Sequence, residues 1–316
     1  MIELKHVTKR YGEQTVFDDL SLSIDRGKIT VIIGLSGSGK STILRMINRL
    51  EPFDSGSITF QNKNILDYKP EDLRRRMGYA IQSNGLFPHW NVAKNIATVP
   101  RLLGWNTAKI DQRVDELLSM LNLEPAQYRH RMPHQLSGGQ QQRVGVARAM
   151  AAKPEILLMD EPFGALDPIT RKSIQAELRR IHQCDGKTIL LITHDIDEAL
   201  FLADHIVLID KGTILQQGTP LEILTSPVNS FVKDFIGQES RGLKILSQLS
   251  VKTILRPELS ESAVKEIRQE ATLAEALSYF IAERTSELSV HDHQGFAVGH
   301  IQLIDIFSLH DHAYAS

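Results

Sequence analysis

The sequence predicts an α/β fold: a parallel-sheet core built on a phosphate-binding loop, with an antiparallel β subdomain, a helical subdomain and a small α+β unit behind it. Three observations predict this arrangement. The apolar run Ile29–Ile33 leads into Gly34-Leu35-Ser36-Gly37-Ser38-Gly39-Lys40-Ser41, and a helical pattern of Thr42, Ile43, Leu44, Met46 and Ile47 leads out. Three further apolar runs (156–159, 188–192 and 206–209) are separated by helical patterns and turns, the alternation that builds a parallel sheet. After Asp234-Phe235-Ile236-Gly237 the pattern changes to a polar connector, 238–250, and then to a shorter unit, 251–309.

In chain order, residues 2–7 and 20–24 alternate apolar and polar, as half-exposed antiparallel strands do, with Tyr11 expected in the turn between them. Asp54-Ser55-Gly56-Ser57 turns the chain into a short strand at 58–60, where a second exposed strand pair is expected. An apolar strand, 77–82, ends on Gln82, and 83–91 has the Gly85, Pro88 and aromatic content of a structured loop. Val114, Leu117, Leu118 and Leu121 mark one face of an amphipathic helix, so about 92–152 reads as an inserted helical subdomain. In the last unit Thr272-Leu273-Ala274-Glu275 is a capping box, and Leu273, Ala276, Leu277, Phe280 and Ile281 define the apolar face of its helix. Residues 288–290 alternate as a strand, 292–295 turn, and 296–301 form the partner strand.

Composition narrows the function classes. Lysine plus arginine (36) nearly balance aspartate plus glutamate (38) over 316 residues, so the net charge of −2 carries no electrostatic footprint for nucleic acid. The single cysteine, Cys184, forms no internal disulfide, fits a reducing compartment, and reads as a structural thiol. The opening residues have no secretory pattern, and the apolar runs fall far short of the roughly 18 residues that span a bilayer. A soluble protein is expected, with any membrane role coming through a partner.

The chemistry gathers at the carboxyl ends of the expected strands, where open α/β sheets bind ligands. Gly37 and Gly39 let the backbone curl so that N–H groups around Gly34, Ser36 and Ser38 face one point, and the helix opened by Ser41 and Thr42 adds its dipole there. Such a cradle fits a di- or triphosphate. Lys40 would reach the terminal phosphates and Ser41 would ligate Mg²⁺, a hard cation that prefers oxygen. Of the pair Asp160-Glu161, one carboxylate can hold Mg²⁺ through water while its neighbour polarises the attacking water. His194, after the next strand, would add a hydrogen bond to the γ-phosphate, although a lone histidine is more often a satisfied loop residue.

The order of these motifs resembles the ATP-binding cassette (ABC) ATPase family over residues 1–237. The matching residues are Tyr11, the loop 34–41, Gln82, Leu136-Ser137-Gly138-Gly139-Gln140, the strand end 156–161, Ala165-Leu166-Asp167 and His194. The resemblance implies ATP and Mg²⁺ as cofactors, with Glu161, His194 and Gln82 catalytic and Ser41, Gln82 and Asp160 at the metal. Tyr11 would stack on adenine and Asp167 would lie at the nucleotide. It also implies two copies meeting head to tail, each ATP held between one copy's phosphate loop and the other's residues 137–140. Physically, Ser137 and its glycines open a helix whose N–H groups suit an anion.

Met46-Ile47-Asn48-Arg49-Leu50, Gly85-Leu86-Phe87-Pro88-His89-Trp90 and Pro133-His134-Gln135 look like the ATPases of osmoprotectant importers, which take up glycine betaine, choline, carnitine or proline. Similar runs occur in methionine and polyamine importers, and an exporter ATPase is the other open reading. A cassette working on nucleic acid or ribosomes predicts long heptads, cysteine modules or a second cassette, none of which is in the sequence. The implied partners are a second copy, integral membrane permease subunits and, indirectly, a solute-binding protein, at the cytoplasmic face of the membrane. Residues 272–281, 288–292 and 299–307 resemble a CBS (cystathionine-β-synthase) module. Such modules come in tandem pairs whereas this chain has room for one, and Gln302 stands where nucleotide-binding modules carry a hydroxyl residue, which leaves adenosine binding open. The pairs His291/His293 and His310/His312 read as solvated surface histidines rather than metal pairs.

Overall fold

Strands buried on both faces place the chemistry at one edge. The computed structural model describes residues 1–81, 85–260, 263 and 265–307. Among these, a six-stranded sheet has the order β10-β9-β3-β8-β7-β6, with β3 Ile29–Ile33, β6 Met77–Ala80, β7 Ile156–Asp160, β8 Thr188–Thr193, β9 His205–Asp210 and β10 Thr213–Gly218. All pairings in it are parallel except β9 with β10. Every residue of β3, β7 and β8 is buried, which is why they read as continuous apolar runs. Register pairs Ile33 with Thr193 and Asp160 with Ile192, so the phosphate loop, Asp160-Glu161 and His194 all leave the sheet at one level.

A four-stranded sheet of order β2-β1-β4-β5 contains β1 Ile2–Tyr11, β2 Gln14–Ile24, β4 Ser55–Phe60 and β5 Lys63–Asn64, all antiparallel. One expectation is corrected here and one extended. Tyr11 is the last residue of β1 and pairs with Gln14, rather than standing in the turn. Residues 58–60 belong to β4, which pairs with β5 as expected but also joins β1 directly, so the second pair extends the same sheet. Ile2, Leu4, Phe17, Ile24 and Phe60 from this sheet share one core with Ile32, Leu158 and Ile192 of the other. The helix Lys40–Ile47 contributes Ile43, Leu44, Met46 and Ile47, all fully buried. Burial of such side chains is worth about 1.5–3 kcal/mol each, so this core anchors the phosphate loop's helix firmly.

Residues 92–150 form helices Val92–Ile96, Thr98–Leu102, Thr107–Met120, Pro125–Tyr128 and Gly138–Met150. Ile110, Val114, Leu117 and Leu118 are the buried stripe of Thr107–Met120, matching its apolar spacing. Helix Pro168–Asp185 comes next, and Cys184 near its end is a free, exposed thiol.

The chain divides into two compact units, Met1–Thr219 and Pro220–Ser316. The division falls earlier than Gly237, because helices Pro220–Thr225 and Ser230–Ile236 cluster with the C-terminal residues. Arg241 explains part of this: its guanidinium donates to the carbonyls of Leu224 (2.6 Å) and Thr225 (2.9 Å). The 238–250 segment holds helix Arg241–Gln248, from which Ile245 and Leu246 pack on the second unit's core. In that unit β11 Glu266–Arg268, β12 Glu287–His291 and β13 Ala297–Gln302 form a sheet of order β11-β12-β13. The capping box is present: Thr272 Oγ1 accepts from Glu275 N–H while Glu275 Oε2 accepts from Thr272 N–H. On helix Leu273–Glu283, Leu273, Ala276 and Phe280 are buried, but Ile281, expected on that face, is 70% exposed. It lies one residue beyond the stripe. His291 is not a solvated histidine, since Nδ1 bonds Gly295 O at 3.0 Å and Nε2 bonds Ser289 Oγ at 3.0 Å. No group of three metal-ligating side chains occurs among the described residues, and His310 and His312 lie outside them.

Candidate functional site

The phosphate loop depends on close backbone approaches. A Cβ on Gly34 would stand 2.0 Å from Ile209 O, and one on Gly39, at φ +95°, would stand 2.5 Å from the Phe17 ring. Only glycine fits either place. Lys40 is 6% exposed, and its Nζ donates to Gly34 O (2.9 Å), Leu35 O (2.8 Å) and Ser38 Oγ (3.4 Å). Burial draws its pKa below the usual lysine value, against the opposing pull of Glu161 and Asp160. The ammonium therefore sits on the loop's own oxygens, where a phosphate would compete for it.

Asp160, the last residue of β7, is buried and accepts 2.9 Å from Ser41 Oγ at Oδ1. Burial pushes its carboxyl pKa up and the Ser41 bond partly offsets this. A hydroxyl and a carboxylate in contact are the hard oxygen donors that suit Mg²⁺. Next to it Glu161 adopts φ +45°, a conformation that costs a non-glycine residue roughly 1 kcal/mol. Its N–H donates to Ile192 O at 3.0 Å. His194 Nδ1 lies 3.4 Å from Glu161 Oε1, and the His194 side chain is 62% exposed. The structure thus gathers Lys40, Ser41, Asp160, Glu161 and His194 at one edge.

Ser137 caps helix Gly138–Met150: its Oγ accepts from Gln140 N–H at 3.3 Å, and Gln140 Oε1 accepts from Ser137 N–H at 3.0 Å. The cap leaves the first-turn N–H groups pointing along the axis, and a Cβ on Gly138 would meet nothing within 4 Å. Asp167 caps helix Pro168–Asp185 through Thr170 N–H at 3.0 Å, and the hydrogen bonds from Thr170 hold its carboxyl below the usual range. Tyr11 is exposed, donates to Glu51 Oε1 at 3.0 Å and lies under Lys9 Nζ, 4.3 Å from the ring centroid. Gln82 lies outside the described residues.

The aromatic loop is held by a residue that sequence reading passed over. Asn95, fully buried, donates to Trp90 O (2.9 Å) and Phe87 O (3.2 Å) and accepts from Phe87 N–H (2.8 Å). The Phe87 and Trp90 rings stand 4.7 Å apart, and Arg148 donates to Gly85 O at 2.7 Å. Phe87 and Arg148 line a groove of about 340 Å³ with Arg74, Tyr79 and Thr98. The buried Asn48 lines it too, and its Oδ1 has no hydrogen-bond partner. Gln142 was also missed. It is a polar residue on the buried side of its helix, and that mismatch is the signal that could have found it.

The family described as "ABC transporter" matches residues 17–164. The chain is 54% identical over 306 residues to the glycine betaine uptake system ATP-binding protein YehX of Escherichia coli, covering 97% of this chain and 99% of that protein. It is 43% identical to the glycine betaine/carnitine/choline transport ATP-binding protein OpuCA of Bacillus subtilis, covering 96% of this chain and 78% of that one. Its fold matches a solved dimeric structure of MJ0796, described as a bacterial ABC transporter cassette, with a TM-score of 0.65 and 35% identity over 70% of this chain and 99% of that one. No described helix is long and apolar enough to cross a membrane. With a phosphate loop, an Asp160-Glu161 pair at the end of β7 and a capped Ser137 helix in place, the chain belongs to the ABC transporter family, as an ATP-binding ATPase subunit of an importer.

Proposed function

We propose that this subunit hydrolyses ATP to drive uptake of an osmoprotectant quaternary amine such as glycine betaine, from the cytoplasmic face of the membrane. The observation that carries the catalytic reading is the juxtaposition of Ser41, Asp160, Glu161 and His194 at the carboxyl edge of β3, β7 and β8. The solute reading is supported by relatives named for glycine betaine that match through both compact units and not the first alone.

In this mechanism Tyr11 stacks on adenine, and the loop 34–39 with Thr42 wraps the phosphates. Lys40 leaves the Gly34 and Leu35 carbonyls for the terminal phosphates, whose charge it offsets. Ser41 and Asp160, with Gln82, would hold Mg²⁺, which supplies charge neutralisation at the β- and γ-phosphate oxygens. Glu161 takes a proton from the attacking water. The low exposure of its carboxylate keeps bulk water from competing, and His194 donates to the γ-phosphate. In a head-to-tail dimer the Gly138 and Gly139 N–H groups, left open by the capping box that Ser137 and Gln140 form, complete the partner's site, and Asp167 lies beside it.

The groove beside Phe87 and Trp90 receives a membrane permease subunit, to which a solute-binding protein delivers the solute. The second unit is a CBS-like module that pairs with its copy in the dimer and tunes the ATPase rather than forming part of it. Asp305 supports a role other than adenosine binding, since both its oxygens are held by Arg256, at 2.7 and 2.9 Å. The test is co-purification with the native permease and reconstitution with candidate binding proteins. Stimulation of ATP hydrolysis by glycine betaine and its binding protein is expected; stimulation by methionine or a polyamine instead would replace the solute assignment.

A further inference from the structure

Gln142 is 6% exposed, and one carboxamide makes two bonds across the catalytic segment. Its Nε2 donates to Glu161 O at 3.0 Å, and its Oε1 accepts from Ala165 N–H at 3.1 Å. These atoms sit at the two ends of segment 161–165. Glu161 is the residue held at φ +45°, and its two flanking peptides are both fixed: the N–H before its Cα by Ile192 O and the carbonyl after it by Gln142. Nearer its start the same helix lies against the end of this segment, where a Cβ on Gly139 would stand 3.5 Å from Ala165 O and 3.1 Å from Cδ2 of the next residue, Leu166.

Helix Gly138–Met150 therefore has its anion-facing N-terminus at Ser137 and, about one turn on, a buried amide bound to the Glu161 backbone. A shift at the N-terminus moves Gln142, because a helix transmits displacement along its axis as a stiff body. We propose that Gln142 is a positioning residue that makes the Glu161 carboxylate respond to the anion bound at the N-terminus of its own helix, and so couples the two nucleotide sites of the dimer. This rests on the proposed head-to-tail dimer, in which that N-terminus serves the partner's ATP while Glu161 serves the chain's own. Placement matters at this scale, since an error of about 1 Å at a reacting group costs on the order of 100-fold in rate.

The test uses the full chain with Gln142→Leu, which keeps the volume and removes both bonds, and Gln142→Glu, which keeps an acceptor for Ala165 N–H and loses the donor to Glu161 O. ATP hydrolysis is followed against ATP concentration, and ATP-driven dimerisation is followed with each change combined with Glu161→Gln. Both variants are expected to lower kcat about 10- to 100-fold. Half-saturating ATP should stay within about twofold and the Hill coefficient should fall from about 2 toward about 1, with dimerisation kept. A cooperative wild type whose variants keep kcat and cooperativity overturns the role of Gln142 alone. Loss of dimerisation together with kcat in both variants assigns Gln142 to folding and overturns it equally. A wild type with no cooperativity overturns the head-to-tail dimer itself, and the coupling with it.

Discussion

Ser41 Oγ donates a 2.9 Å hydrogen bond to Asp160 Oδ1 across 119 positions of sequence, joining the phosphate loop's helix to the end of β7. Asp160 carries a buried charge there, so its removal has opposite effects on folding and function. Its raised folded pKa means that the folded chain holds a proton more tightly than the unfolded one, and wild-type stability falls as pH rises through the window between them. Asp160→Asn is expected to raise the thermal midpoint of the nucleotide-free chain at pH 7–8 by a few degrees. The difference should vanish below the ordinary aspartate value, while Mg²⁺-dependent ATPase is lost. A lower midpoint at neutral pH would show that the carboxylate's bonds outweigh its burial.

Glu161→Gln and Lys40→Ala should separate chemistry from binding. The first keeps the cradle and loses the proton acceptor, so turnover falls at least about 100-fold with ATP binding kept. The second loses the charge facing the terminal phosphates and weakens nucleotide binding itself. Nucleotide titrations beside steady-state hydrolysis distinguish them, and near wild-type turnover of Glu161→Gln would remove the general-base assignment.

Replacing both Phe87 and Trp90 by alanine should uncouple transport while basal ATPase survives, because Phe87 lines the groove, Trp90 packs on Phe87, and neither belongs to the phosphate loop. Asn95→Ala should act on the same surface from beneath, through the lost bonds to the Phe87 and Trp90 carbonyls. Solute uptake and ATP hydrolysis measured in the same proteoliposomes check both. Normal uptake would remove this surface from the mechanism.

A buried carboxylate outside the site gives a stability prediction. Glu198 is buried, accepts 2.8 Å from Gln175 Nε2, and has its pKa raised by burial. The cost of its charge is present above the folded pKa and disappears as pH falls toward the ordinary glutamate value. Glu198→Gln keeps the acceptor and removes the charge, so it should stabilise by about 1 kcal/mol at pH 7–8 and by nothing at low pH. Denaturant midpoints across the pH range check this.

Truncation after Thr219 leaves the first compact unit alone, whereas truncation after Gly237 would leave residues 220–237 of the second unit attached. Reconstituted with the permease, the truncated chain should hydrolyse ATP but lose the salt dependence of the full chain, as charge interactions weaken when the Debye length falls from about 10 Å at 0.1 M to about 3 Å at 1 M. Identical salt curves with and without Pro220–Ser316 would eliminate the regulatory role of the module.

The phosphate loop, the capped Ser137 helix and the capping box at Thr272 were legible because a turn, a close approach or a cap demands particular residues within a few positions. Asp160-Glu161 and His194 were legible as strand ends. What the strands do to one another was not, because Ile, Leu and Val in β3, β7 and β8 are interchangeable in a buried sheet and carry no mark of order or register. Strand β10 was invisible for a related reason, since Gln216 and Gln217 give an edge strand no apolar alternation. Local residue chemistry was enough to say which side chains and glycines could cradle a triphosphate. It took the folded chain to show that Asp160 meets Ser41, that Gln142 reaches the Glu161 backbone, and that the second unit begins at Pro220, because these depend on contacts between segments whose local chemistry is silent about their partners.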